Sequence, residues 1–179
     1  TLHGGKSLAL GTDLVELGYI LYRQGGRGSE AEACYREALA MQRELAGTGS
    51  AAETNTLRAR GGVLSGQRRF VEAEAAFRES RALEKKFLPP DDLGHVTSAQ
   101  MLAEMFVGAG RLAEAEALLR EELAGDLGRD EGKWVLLLFH LGPILHRRGK
   151  TAEAAEALRE VVAQRRKVFG PADHIYSEA

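Results

Sequence analysis

Gly4-Gly5-Lys6-Ser7 carries the tail of a phosphate-binding loop, in which glycine N–H groups surround a phosphate and the lysine meets its charge. The full pattern also needs a glycine five residues before Gly5 and a strand leading into it. That glycine would fall before Thr1 and no strand is predicted here, so the segment reads as a flexible terminal stretch. The histidines are His3, His95, His140, His146 and His174. His140 and His146 share one predicted helix but stand six apart, which puts them on different faces, whereas a helical metal pair needs a spacing of four. No cysteine lies near them, so no metal and no cofactor is expected. Cys34 has only Arg36 as a basic neighbour and no histidine arranged beside it; it reads as a small core residue rather than a nucleophile.

Carboxylates recur in Glu30-Ala31-Glu32-Ala33, Glu72-Ala73-Glu74-Ala75 and Glu114-Ala115-Glu116-Ala117. Residues two apart point to different sides of a helix, so these pairs do not converge for acid–base work. Near helix starts they complement the macrodipole instead. Arg58, Arg60, Arg68 and Arg69 form one basic group, Arg147, Arg148 and Lys150 a second, and Arg165, Arg166 and Lys167 a third. They lack the interleaved aromatics of a nucleic-acid surface, and the chain as a whole is slightly acidic. They read as solvated helix faces, with recognition of an acidic peptide as the functional alternative. Nothing here assembles an active site, and the chain is expected not to be an enzyme.

The elements that hold these residues repeat. The Glu-Ala-Glu-Ala segments lie 42 residues apart, and a weaker copy, Glu153-Ala154-Ala155-Glu156, follows after 39. Arg36-Glu37, Arg78-Glu79, Arg120-Glu121 and Arg159-Glu160 stay in phase with them. Each copy predicts a pair of helices: first helices over 11–24, 52–66, 95–109 and 132–148, second helices over 29–46, 70–87, 112–124 and 151–168. Between the two come Gly25-Gly26, Gln67-Arg68-Arg69, Gly110 and Gly149, and glycine ends helices at low steric cost. Ala31, Ala73, Ala115 and Ala154 are followed four residues on by Tyr35, Phe77, Leu119 and Leu158. Large and small residues also pair as Leu17-Gly18, Leu102-Ala103 and Leu141-Gly142, which lets helices interlock closely. Pro143 is expected to bend its helix.

Composition agrees. In the 179 residues, Ala, Leu, Glu and Arg make up half the chain, while Ile, Val and Thr together supply 19. That excludes an all-β fold and disfavours a β-α-β core. The net charge of −2 gives no general pull toward nucleic acid or anionic lipid. The longest strongly apolar run, Trp134 to Phe139, is too short for a membrane helix of roughly 20 residues. One cysteine and no visible signal peptide make the cytoplasm the default.

The pattern Leu-Gly/Ala-x-x-large, then Gly, then Glu-Ala-x-x-x-large resembles the tetratricopeptide repeat. The 42-residue period and the ending Val168-Phe169-Gly170-Pro171-Ala172-Asp173-His174 resemble its kinesin light chain type. Arg60 stands in a large-apolar position, Arg68 replaces a turn glycine and Glu122 replaces a small residue. The resemblance implies an all-α, right-handed superhelical solenoid of about four hairpins, roughly eight helices, plus the start of a further helix. The boundaries are an N-terminal segment 1–10, repeats at 11–53, 54–96, 97–131 and 132–170, and 171–179 opening a further repeat or capping helix.

It also implies a concave groove lined by first-helix positions near the small residue. Carried over, these are Val15, Tyr19, Tyr22 and Arg23; Arg58, Gly62 and Ser65; Gln100, Glu104 and Val107; and Phe139, Pro143, His146 and Arg147. Tyr19, Tyr22 and Phe139 supply flat apolar area, and Arg23, Arg58 and Arg147 supply forks for carboxylates. The expected function is a protein–protein interaction scaffold that holds a peptide segment of a partner, acidic around an apolar anchor. No nucleic acid or membrane partner is expected. The alternative is a regulatory or sensor arm of a larger signalling protein or enzyme, binding an internal segment. An uncapped C-terminal end is expected to favour self-association.

Overall fold

The computed structural model describes residues 7–89, 92–125 and 130–169. Among the described residues there are eight helices and no strand: α1 (Leu8–Arg23), α2 (Gly28–Ala46), α3 (Ala51–Gly66), α4 (Phe70–Phe87), α5 (Gly94–Gly108), α6 (Leu112–Ala124), α7 (Glu131–Arg147) and α8 (Thr151–Phe169). The chain is an all-α helical repeat. Seven of the helices begin and end within a residue or so of their predicted bounds. The exception is the start of α1, three residues early, because the Ser7 hydroxyl accepts the Leu10 N–H at 3.0 Å and caps the helix. Ser7 is therefore a helix cap and not part of a phosphate loop; Gly4, Gly5, Lys6 and His3 lie outside the described residues. So do the predicted further helix at 171–179 and His174.

The glycine punctuation is explained by backbone geometry. Gly25, Gly26, Gly110 and Gly149 have φ between 71° and 78°, a left-handed conformation that costs side-chain-bearing residues roughly 1–2 kcal/mol. Arg68 holds the same conformation, at φ 61°, with its guanidinium 5.8 Å from the centre of the Phe70 ring. The arginine thus takes the glycine's place without altering the turn. α7 runs on through Pro143 to Arg147, and Pro143 has no N–H to give the Phe139 carbonyl.

Two compact units result, Thr1–Gly110 and Arg111–Ala179, and the division falls inside the predicted third repeat. In the first unit α1 packs on α2, α3 on α4, and α3 lies beside both α1 and α5; α2 lies on α3 and α4 on α5. In the second unit α7 lies between α6 and α8. In the α1–α2, α3–α4 and α7–α8 hairpins the close approach is made by the small residue of the first helix. A Cβ on Gly18 would stand 3.0 Å from the Tyr35 ring, on Gly61 2.8 Å from Phe77, and on Gly142 2.7 Å from Leu158. Tyr35 and Phe77 are fully buried, and Leu21, Ala31, Tyr35 and Val63 form a core cluster with Val15, Cys34 and Ala59 packed against it.

Candidate functional site

Several of the basic residues turn inward to buried acids. Glu32 on α2 accepts Arg69 Nη1 at 2.7 Å and Arg60 Nη2 at 3.2 Å. Burial pushes its carboxyl up, and the hydrogen bonds from Arg69 and Arg60 outweigh that and hold it below the ordinary range. Glu53, buried at the start of α3, accepts Arg43 Nε at 2.6 Å and the Gly49 N–H at 2.6 Å. Glu84, buried on α4, accepts Ser80 Oγ at 2.8 Å, Arg58 Nη1 at 2.9 Å and Ser98 Oγ. In the second unit Glu116 accepts Arg120 Nε at 2.8 Å, Lys150 Nζ at 2.7 Å and Arg148 Nη1.

These pairs correct two expectations. Arg58, Arg60, Arg69, Arg148 and Lys150 are not solvated faces, because each is held by a carboxylate from a neighbouring helix. Glu32 and Glu116 do more than complement a helix dipole. The first glutamate of each motif does stay at the surface: Glu30, Glu72 and Glu114 pair with Arg27, Arg69 and Arg111 three residues earlier, at 2.6, 2.5 and 2.5 Å. Sequence spacing hides the buried pairs, since Arg58 reaches 26 residues to Glu84 and Arg69 reaches 37 to Glu32.

Glu116 gives a pH prediction. Burial raises its carboxyl, but Lys150, Arg120 and Arg148 bring it from 4.5 down to about 2. A carboxyl depressed in the folded state stabilises fully above its unfolded value, and that stabilisation is lost as pH falls through the folded one. Denaturant melts of the wild type should therefore lose stability between about pH 4.5 and pH 2, while Glu116→Gln should be less stable at pH 7 by about 1–3 kcal/mol and flatter across that window. Equal slopes for both proteins would assign the acid sensitivity elsewhere.

Of the sequence-predicted groove residues, those in the first unit stand as follows. Tyr19 is 53% and Tyr22 40% exposed, and Arg23 is exposed beside them. Val15 is partly buried on the core. On α3, Gly62 and Ser65 are half-buried and Gly66 is exposed. A Cβ at Gly66 would meet the Tyr22 hydroxyl at 2.6 Å, and one at Gly62 would meet the Met101 methyl at 3.5 Å. The two glycines of α3 therefore let the Tyr22 and Met101 side chains lie over that helix. On α5, Gln100 Nε2 donates to Glu104 Oε1 at 3.0 Å, and Val107 is half-buried. Arg58 is not an open fork: besides Glu84 its guanidinium reaches the Gly94 carbonyl at 3.2 Å and Asn55 Oδ1.

The second unit carries the remaining positions on α7. Phe139 is exposed, with the Arg165 guanidinium 5.0 Å from its ring centre and His140 edge-on at 5.3 Å. Pro143, His146 and Arg147 are exposed. Among the described residues no three His, Cys, Asp or Glu side chains converge, and no helix is long and apolar enough to cross a membrane. Cys34 is half-buried, and burial, then Glu37 and Glu30, push its thiol up.

Comparison with known proteins places this arrangement. Tetratricopeptide repeat models match residues 10–86 and 52–127, and a further one matches 140–176. No curated protein matches the chain. BtubC (BKLC) of P. vanneervenii is similar in structure, with a TM-score of 0.76 at 17% identity over 90% of this chain, which spans 65% of that one. The kinesin light chain-like protein of Podosopora anserina, with nearly identical TPR-like repeats, gives 0.73 at 19% identity over 88% of this chain and 76% of that one. A variant of that same protein gives 0.74 at 20% identity, with the same shares covered. Tetratricopeptide repeats in general mediate protein–protein interaction and are not typically catalytic. The matched segments take in most of the four helical pairs read from the sequence, and the solved neighbours share their fold: the chain belongs to the tetratricopeptide repeat family.

Proposed function

We propose that the α1–α3–α5 face of the first unit binds a peptide segment of a partner protein, extended or helical, with an apolar anchor and an acidic residue close to it. The observation that carries this reading is the grouping of exposed Tyr19, Tyr22 and Arg23 on α1, with Tyr22 reaching over Gly66 of α3. Exposed aromatic rings lose little side-chain freedom on binding and bury large areas, and a free guanidinium takes a carboxylate bidentately. Gly66 and Gly62 leave room for the Tyr22 hydroxyl and the Met101 methyl to lie over α3, and Ser65 and the hydrogen-bonded Gln100–Glu104 pair offer polar contacts farther along the face. Arg58 shapes this face from within and is not a ligand to the peptide. Phe139, Pro143, His146 and Arg147 offer the second unit a patch of its own.

A random peptide library selected on the wild-type chain tests the proposal. Selected peptides should combine an aromatic or aliphatic residue with Asp or Glu. Their affinity should fall about tenfold or more for Tyr19→Ala/Tyr22→Ala and several-fold for Arg23→Glu, with helicity by circular dichroism unchanged. Peptides that bind both variants as well as the wild type would place recognition on another surface.

A further inference from the structure

The ring of Tyr35 fills the close approach between α2 and α1. A Cβ on Gly18 would stand 3.0 Å from its Cε1 and Cζ, and the ring packs with Val15 and Leu21 of α1 and Ala59 and Val63 of α3. The matching residues in the other copies are Phe77, Leu119 and Leu158, and Phe77 makes the same approach to Gly61. The packing therefore needs a large apolar group here and has no use for a hydroxyl.

That hydroxyl has no hydrogen-bond partner among the described residues. Tyr35 is 1% exposed. Its oxygen is not one of the polar side-chain atoms sealed away without a partner, which among the described residues are Gln42 Oε1 and Arg60 Nε. The sliver of surface that Tyr35 keeps therefore includes the oxygen. Burying a hydroxyl that bonds to nothing lowers stability, and the other three copies avoid this with an apolar residue.

The oxygen opens toward the face that carries Tyr19 and Tyr22. Val15, Gly18 and Tyr22 stand three and four apart on α1, and Ala59, Val63 and Gly66 stand four and three apart on α3. These rows border one seam, which the Tyr22 side chain crosses to lie over Gly66. Tyr35 enters the seam from α2, and near its hydroxyl are Cys34 and, on α1, the exposed Glu16, Tyr19 and Tyr22. Burial first, then these neighbours, push the phenol up to about 12, so the hydroxyl keeps its proton at neutral pH and can donate.

We propose that the Tyr35 hydroxyl is the floor of the peptide site and donates a hydrogen bond to a backbone carbonyl of the bound segment. Glu16 disfavours a carboxylate at this point, which leaves the acidic residue of the ligand to Arg23. A helical peptide uses its carbonyls on its own amides, so the contact selects a segment that is extended where it meets the seam. Given peptide binding at the α1–α3–α5 face, on which this assignment rests, Tyr35 is a specificity-determining residue hidden in the free protein.

The probe is a peptide selected on the wild-type chain, titrated into Tyr35→Phe and followed by fluorescence anisotropy. Affinity should fall about three- to tenfold, the effect of losing one neutral hydrogen bond. The thermal midpoint should stay at or above that of the wild type. An amide-to-ester scan of the same peptide makes each carbonyl in turn a poorer acceptor. One ester should weaken binding to the wild type and leave binding to Tyr35→Phe unchanged; equal ester effects in both proteins overturn the contact. Unchanged affinity in Tyr35→Phe overturns it alone when Tyr19→Ala/Tyr22→Ala still weakens the same peptide. If neither variant weakens it, or if the selection yields no peptide, the site itself falls and the Tyr35 contact with it. A loss of affinity accompanied by a lower thermal midpoint assigns the hydroxyl to the fold and overturns the contact as well.

Discussion

Arg58→Ala should destabilise the first unit by about 3–5 kcal/mol, the cost of leaving a buried charge without its counter-ion. Glu84 has no exposed surface and sits where α3, α4 and α5 meet. Without Arg58 it would keep the Ser80 and Ser98 hydroxyls, which can solvate a carboxylate but cannot neutralise it. Adding Glu84→Gln should recover much of the loss, because an amide needs no counter-ion: its oxygen accepts from one serine and its NH2 donates to the other, whose own hydroxyl can turn to the Thr54 or His95 carbonyl. Urea melts of the wild type, the single variant and the double variant form the measurement. A single variant within about 0.5 kcal/mol of wild type would show that Arg58 is dispensable to the packing.

The second large effect is steric. Gly61→Ala brings a methyl group within 2.8–2.9 Å of three atoms of the Phe77 ring, which is fully buried and has nowhere to go. Alanine gains about 1 kcal/mol in helix propensity over glycine, but overpacking costs about 1–3 kcal/mol, so the substitution should lower stability. Phe77→Leu in the same chain should relieve the clash; the third copy has Ala103 and Leu119 in these registers. A thermal midpoint for Gly61→Ala at or above the wild type's would mean that the ring can shift.

The helices were legible because local chemistry decides them. Gly25, Gly110 and Gly149 mark turns that need positive φ, and the Ala-to-large spacing of four residues marks the inner face of each second helix. The place of Tyr19 and Tyr22 on α1 followed from their register to Gly18, and both are exposed. What stayed hidden was the fate of the charges. Arg58, Arg60 and Arg69 cluster in sequence, yet their partners Glu84 and Glu32 lie on other helices, and only the packed fold brings them together. Ser7 was missed for the opposite reason, since a phosphate-loop pattern competes with a one-residue cap for the same letters.

The repeat is held together by two different adhesives. Inside a hairpin the contact is glycine against an aromatic ring or leucine; between hairpins it includes carboxylates gripped by arginine and lysine. Cold weakens the first kind and leaves the second, while salt screens the second, most where its cations are half exposed, and leaves the first. Ionic strength therefore acts on how firmly successive hairpins are stacked, separately from whether each hairpin is formed.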